Sequence, residues 1–155
     1  MKYSPEEAVR WMGEAIRLAG EAGARDEVPI GAVLVQEGKI LASGANARET
    51  SHRTTAHAEI EALTAFNVAN KTWRLPPGTS LFVTIAPCLM CTGALLWARL
   101  ENIYYGCPDP RNAGLSTQLD LIRAGRFDHK FAEVESGVEA DRCSALITNF
   151  FRRKR

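Results

Sequence analysis

Ser80-Leu81-Phe82-Val83-Thr84-Ile85-Ala86-Pro87-Cys88-Leu89-Met90-Cys91 is the stretch that decides the fold. Its first six residues form an apolar run of strand length, closed upstream by Pro76-Pro77-Gly78, and read as a buried strand. Pro87 has no N–H to lose and a φ preset for a first helical turn. A helix is therefore expected from there through Leu95, Leu96 and Trp97. A strand running straight into a helix is a building unit of layered α/β domains.

Working upstream, Pro29–Val35 reads as a strand, Glu37-Gly38 as a turn and Lys39–Ala42 as a returning strand. Residues 44–55 are polar and read as a loop, and a helix is expected from near Ala56 through Ile60, Leu63 and Phe66. At the start, Ser4 can cap a helix, Pro5 suits its first position and Glu7 completes a capping box. Ala8, Met12, Ala15, Ile16 and Ala19 follow at helical spacing, and Gly20 and Gly23 are expected to help end that helix. Downstream, Asn102–Gly106 reads as a strand and Cys107 to Ser116 as a loop. Short elements follow, with a strand near Phe131–Val134 and a last helix from about Glu139 to the end. No repeat, linker or low-complexity segment interrupts this pattern, so one domain, 1–155, is expected.

Composition narrows the classes. The hydrophobic share of 46% suffices for a core, which argues against disorder. No apolar run approaches the roughly 20 residues of a membrane helix. The opening Met1-Lys2-Tyr3-Ser4-Pro5-Glu6-Glu7 holds no hydrophobic signal segment, and a cytoplasmic location is expected. In a reducing compartment the four cysteines, Cys88, Cys91, Cys107 and Cys143, are better explained by metal binding or burial than by disulfides. Net charge is only +1, yet the last four residues, Arg152-Arg153-Lys154-Arg155, are all cationic. That local field suits one contact zone for an anion such as a phosphate backbone, not a wholly basic surface.

The chemistry-bearing groups are His57-Ala58-Glu59 and Pro87-Cys88-Leu89-Met90-Cys91, each at an expected helix start. Cys88 and Cys91, three apart, share a helix face, where first-turn amides and the dipole favour thiolates. His57 supplies a third, nitrogen ligand. Mixed sulfur and nitrogen ligands suit zinc. Three protein ligands leave one tetrahedral position open for water, as in catalytic rather than structural zinc sites. Two thiolates and Zn2+ nearly cancel in charge, so a nearby base is needed to activate water, and Glu59 is the candidate proton carrier. A redox pair or half of a zinc ribbon is the other use of Cys-x-x-Cys. There is no second pair, and a redox pair would not need His57 and Glu59. Cys107 and Cys143 lack paired spacing and read as structural.

His-x-Glu followed by Pro-Cys-x-x-Cys is the known signature of zinc nucleobase deaminases, the tRNA-type enzyme among them. The chain resembles the bacterial tRNA-specific adenosine deaminases of the cytidine deaminase superfamily along nearly its whole length. The likeness runs through Asp26–Val33, Asn46, Thr55–Ile60, Thr92-Gly93-Ala94-Leu95 and Phe150-Phe151-Arg152-Arg153. It implies a three-layer α/β/α cytidine-deaminase-like fold with a five-stranded mixed sheet, one Zn2+ per chain and a homodimer. The implied reaction is hydrolytic deamination of adenosine to inosine at the wobble position of tRNA, with the anticodon stem-loop as partner.

By position, the resemblance implies that Asn46 hydrogen-bonds the flipped base and the Ala58 backbone reads its edge. Val28 and Pro87 would line the pocket, and Asp109 would cradle neighbouring nucleotides. Arg152 and Arg153 would meet phosphates, while the two phenylalanines pack. Each of these has a plainer reading: turn geometry for Asn46 and Asp109, and complementing the helix dipole for the terminal cations. Family members commonly carry Glu where this chain has Ala86. That departure keeps a rival open, deamination of a free base or nucleotide of guanine or cytosine type. A non-catalytic zinc- or RNA-binding module would not need Glu59.

Overall fold

The computed structural model describes residues 2–155. Its centre is a five-stranded mixed sheet in the order β2-β1-β3-β4-β5, built from β1 (Gly31–Gln36), β2 (Lys39–Ala45), β3 (Ser80–Ile85), β4 (Asn102–Cys107) and β5 (Glu133–Glu135). β1 runs antiparallel to β2 and β3, while β3, β4 and β5 are mutually parallel. The C-terminal ends of β2, β3 and β4 and the start of β1 therefore meet at one edge of the sheet. In open α/β sheets, ligands bind at such carboxyl ends.

The strands are apolar on both faces because helices cover both. Ala32, Leu34, Leu81, Val83 and Ile103 face α3 (Ala58–Asn70), α4 (Leu89–Trp97) and α5 (Gly114–Arg123). Val33, Val35, Phe82 and Tyr104 face α1 (Pro5–Ala24) and α6 (Ala140–Arg153). On that second face Phe82 and Tyr104 stack at 4.8 Å, with Tyr3 edge-on to both. Three layers result, as expected for this fold class.

Several boundaries differ from the sequence reading. α1 begins with the expected Ser4–Glu7 capping box, but it passes through Gly20 and Gly23 and is capped by Arg25. Ala19 and Ala22 are fully buried, and that packing outweighs the roughly 1 kcal/mol a helical glycine costs. The 44–55 segment is not all loop: β2 extends to Ala45, and Arg48–Ser51 forms a short helix, α2. α5 starts at Gly114, inside the expected 107–116 loop, because Gly114 packs against the start of α4. A Cβ there would lie 2.0 Å from the Leu89 nitrogen. Gly44 plays the same part for α3. A Cβ on it would lie 2.3 Å from the Ala58 oxygen and 2.5 Å from the Ala62 nitrogen. Glycine thus lets β2 and α3 meet backbone to backbone, and this sets where α3 begins. Among the described residues no helix is long and apolar enough to cross a membrane.

Candidate active site

α3 and α4 begin side by side. His57 holds the N-cap position of α3 and Cys88 that of α4, so each motif begins one step before its helix and continues into the first turn. Cys91 lies in the first turn of α4 and is buried, whereas His57 and Cys88 are half-buried. Two helix N-termini converge here, and their unpaired amides create a positive potential that favours thiolates.

The three side chains form a triangle. His57 Nδ1 is 3.5 Å from Cys88 Sγ and 3.6 Å from Cys91 Sγ. All three candidate ligand atoms lie within 4.8 Å of one another. A tetrahedral zinc ion has bonds of roughly 2.0–2.1 Å to nitrogen and about 2.3 Å to sulfur, which puts nitrogen and sulfur about 3.5–3.6 Å apart. The triangle fits that ion. Its protonation fits too. Cys88 is lowered to about 4, first by the Cys91 thiol donating to it and then, against burial, by His57. Cys91 is pushed up, by that same donation and by burial, and His57 is raised first by Cys88. A divalent cation held by these three residues would take the place of the protons they share.

Glu59 sits in the first turn of α3 and is only 3% exposed. Burial lifts its carboxyl to about 7, and the neighbouring Cys88 thiolate adds to the effect. A carboxyl near neutrality can both take and give a proton at physiological pH.

His57, Glu59 and Cys88 floor a cleft of about 130 Å³. Pockets for drug-sized ligands span roughly 300–1,000 Å³, so this smaller cleft is on the scale of a single flat, nucleobase-sized heterocycle. Val28, Asn46 and Asp109 are among its lining residues. The Asn46 side chain also holds its own loop, donating to the Val28 carbonyl (3.2 Å) and accepting from the Arg48 N–H (3.3 Å). Asp109 accepts from the N–H groups of Arg111 (2.9 Å) and Asn112 (3.2 Å). For both residues, turn geometry and a place on the cleft coexist. Ala58 is buried at the first helical position of α3. Pro87 is buried behind the wall, its carbonyl accepting from Leu115, and Ala86 is the residue that reaches the cleft. Cys107 and Cys143 are buried on the α1/α6 side, away from the triangle.

The sequence reading missed Arg48, Arg111, Asn112 and Ile147, which also line the cleft. Arg48 and Arg111 each lie two residues beyond a residue it did select, Asn46 and Asp109. Those spacings were the available signal. Arg152 and Arg153, taken together from sequence, part company in space. They are about 100° apart on α6. Arg152 lines a groove shared with Asp109 and Arg111, and Arg153 lines another with Gly20, Gly23 and Pro29. Phe150 is buried, as expected, while Phe151 is half-buried.

Glu27 supports this arrangement from beneath. It is fully buried, and it accepts from the N–H groups of Glu49 (3.0 Å) and Thr50 (2.8 Å) and from the Thr50 hydroxyl (2.6 Å). Burial alone would raise its carboxyl, but these bonds, with Arg25 nearby, outweigh burial and lower it. A lowered carboxyl adds stability above the unfolded value and loses it as pH falls through the folded value. Glu27→Gln is expected to cost about 1–3 kcal/mol at neutral pH, and the gap from wild type should narrow towards pH 4. Urea unfolding at both pH values checks this, and a pH-independent gap would count against it.

Comparison with known proteins gives concordant likenesses. Residues 5–107 match the family model of the cytidine and deoxycytidylate deaminase zinc-binding region. A tRNA-specific adenosine deaminase of Bacillus subtilis is 43% identical over 145 residues, spanning 94% of this chain and 89% of that protein. A solved structure from work on A-to-I editing by tRNA:A34 deaminases at the wobble position of transfer RNA is 36% identical. It covers 88% of this chain and 98% of its own, with a TM-score of 0.81. A solved guanine deaminase of Bacillus subtilis is 35% identical, covering 64% of this chain and 63% of its own, with a TM-score of 0.60.

Proposed function

The chain belongs to the cytidine and deoxycytidylate deaminase family, and from that premise we propose that it hydrolytically deaminates adenosine to inosine at the wobble position of tRNA. One observation carries the reading: a buried carboxyl, Glu59, stands beside a ligand triangle of zinc dimensions in a cleft on the scale of a single nucleobase.

Zinc held by His57 Nδ1, Cys88 Sγ and Cys91 Sγ would act as a Lewis acid that makes water nucleophilic near neutral pH. Glu59 takes a proton from the water that attacks adenine C6 and delivers it to ring N1. It then passes the second proton to the 6-amino group, which leaves as ammonia. A cleft of this size admits a base only after it has left the stack. Asn46, already pinned by Val28 and Arg48, contacts the base with a fixed side chain, and Val28 forms the wall beside it. The Ala58 N–H, at the first helical position, has no partner within its own helix and is free to read the base edge. Pro87 backs the opposite wall, and the Asp109 loop faces the neighbouring nucleotides.

One zinc per chain, a single catalytic domain and a cytoplasmic homodimer belong to the same reading. Leu89 (63% exposed) and Trp97 (71% exposed) leave an apolar edge on α4 that supports the dimer.

The test is incubation with an anticodon stem-loop carrying adenosine at the wobble position, scored for inosine. Ammonia release from free guanine, cytosine and adenosine is measured in parallel. Ala86 on the cleft wall and the likeness to a guanine deaminase make free guanine the informative competitor. Activity on guanine with none on RNA would overturn the assignment.

Because Arg152 shares a groove with the cleft-lining Arg111 and Arg153 does not, the two should differ in RNA binding. Arg152→Ala is expected to lower the log–log salt slope of stem-loop affinity by about 0.7, and Arg153→Ala by less. Equal effects would refute this division.

A further inference from the structure

Arg48 and Arg111 occupy matching places on opposite sides of the cleft. Arg48 follows the end of β2, and Arg111 follows the end of β4. β1 and β3 lie between those strands, so at about 4.8 Å per strand the two loops leave the sheet roughly 14 Å apart. Each arginine comes two residues after an Asn or Asp whose side chain accepts its backbone N–H. The acceptor is Asn46 Oδ1 for Arg48 (3.3 Å) and Asp109 Oδ1 for Arg111 (2.9 Å). The backbones are held, while both side chains are exposed. Among the described residues, four cations pair with carboxylates: Arg17, Arg53, Arg142 and Lys154. Arg48 and Arg111 belong to none of those ion pairs. Arg111 instead lies over the Phe151 ring at 5.2 Å.

Each wall of the cleft also opens into its own groove. The Val28, Asn46 and Arg48 side continues past Arg25, Phe150 and Lys154, with Asp26 and Glu49 also on its lining. The Ile85, Asp109 and Arg111 side continues past Arg152 and Arg155. Phe151 borders both grooves. A chain lying in both grooves crosses the cleft between them.

We propose that Arg48 and Arg111 bracket the reacting nucleotide, each binding one of the two phosphates that flank it in a single strand. The proposal rests on the RNA reading above and deepens it. A base seated in the cleft brings its ribose to the mouth, with one phosphate on the 5′ side and one on the 3′ side. A guanidinium fork on each wall matches a phosphate in two hydrogen bonds. The substrate class follows: an internal nucleotide meets both arginines, a mononucleotide one, and a free nucleoside or base neither. The bracket therefore selects polymer over small molecules without touching the base.

The experiment measures stem-loop affinity against salt concentration, and separately kcat/KM on stem-loop and on free adenosine. The proteins are wild type, Arg48→Ala, Arg111→Ala, the double variant and Arg48→Lys. Arg10→Ala, on α1 and outside the linings of the cleft and its two grooves, is the control. Each single cleft variant should lose about 0.7 of the log–log slope and the double variant twice that. Stem-loop kcat/KM should fall roughly tenfold or more per arginine, with a clearly smaller loss on free adenosine, which carries no phosphate, and with zinc content retained. Arg48→Lys should keep the slope and recover part of the affinity, since it retains the charge but not the fork. Arg10→Ala should change nothing. Unchanged slopes in both single variants overturn the bracket, as does an equal loss on free adenosine. A wild-type protein that binds the stem-loop with these slopes but makes no inosine counts against the proposed reaction and leaves the bracket standing.

Discussion

Glu59→Gln is expected to reduce deamination at least a thousandfold while the protein keeps its zinc and its fold. General acid–base groups contribute roughly 10²–10⁴ to rate, and Glu59 is the carboxyl assigned here to both proton transfers. Glutamine preserves the shape of a buried side chain in the first turn of α3, so packing should change little. It cannot accept and return a proton. The ligand triangle belongs to His57, Cys88 and Cys91, so metal content measured on the purified variant should match wild type. Retained turnover within tenfold of wild type would remove Glu59 from the mechanism. Lost turnover together with lost zinc would reassign it as a metal-supporting residue.

Cys88→Ser is expected to release the zinc, abolish activity and lower the melting temperature. Cys88 is the better ligand to change because it is half-buried, and its replacement disturbs packing little. Cys91 is fully buried, so a serine there would also strand a hydroxyl. A ligand held at a thousandfold excess over its Kd stabilises the folded state by about 4 kcal/mol, which for a chain of this size is on the order of 10 °C. The protein should remain folded without the ion. Two packed faces of the sheet carry its core, unlike the small zinc fingers that unfold when the metal goes. Chelation of wild type should reproduce the loss, and added zinc should reverse it in wild type only. A Cys88→Ser protein holding one zinc per chain with wild-type melting would sink the ligand assignment.

The strand–helix alternation was legible because strands buried on both faces are apolar along their length, as Ser80–Ile85 is. The motif residues were legible because metal chemistry restricts residue types so tightly that His57, Cys88 and Cys91 stand out at their spacing. The end of α1 was not legible. Gly20 and Gly23 are stop signals locally, and only the burial of Ala19 and Ala22 against the sheet overrides them. The division of Arg152 from Arg153 was equally hidden, since adjacent residues on a helix face different grooves only once that helix has been docked.

What the sequence determined by itself is the residue chemistry: a deaminase signature with a candidate ligand set, a candidate proton carrier and an α/β frame to hold them. These are matters of residue type and spacing, which survive in one dimension. What the tertiary structure alone decided is which residues share the cleft. Its floor joins α3 to α4 through residues 31 and 34 positions apart in sequence, at 3.5 and 3.6 Å. Its rims bring Arg48 and Arg111 onto one cleft from the ends of strands that do not pair. Such contacts come from strand order and helix docking; the spacing from Asn46 or Asp109 marks each arginine singly, and only the fold shows that the two face one cleft.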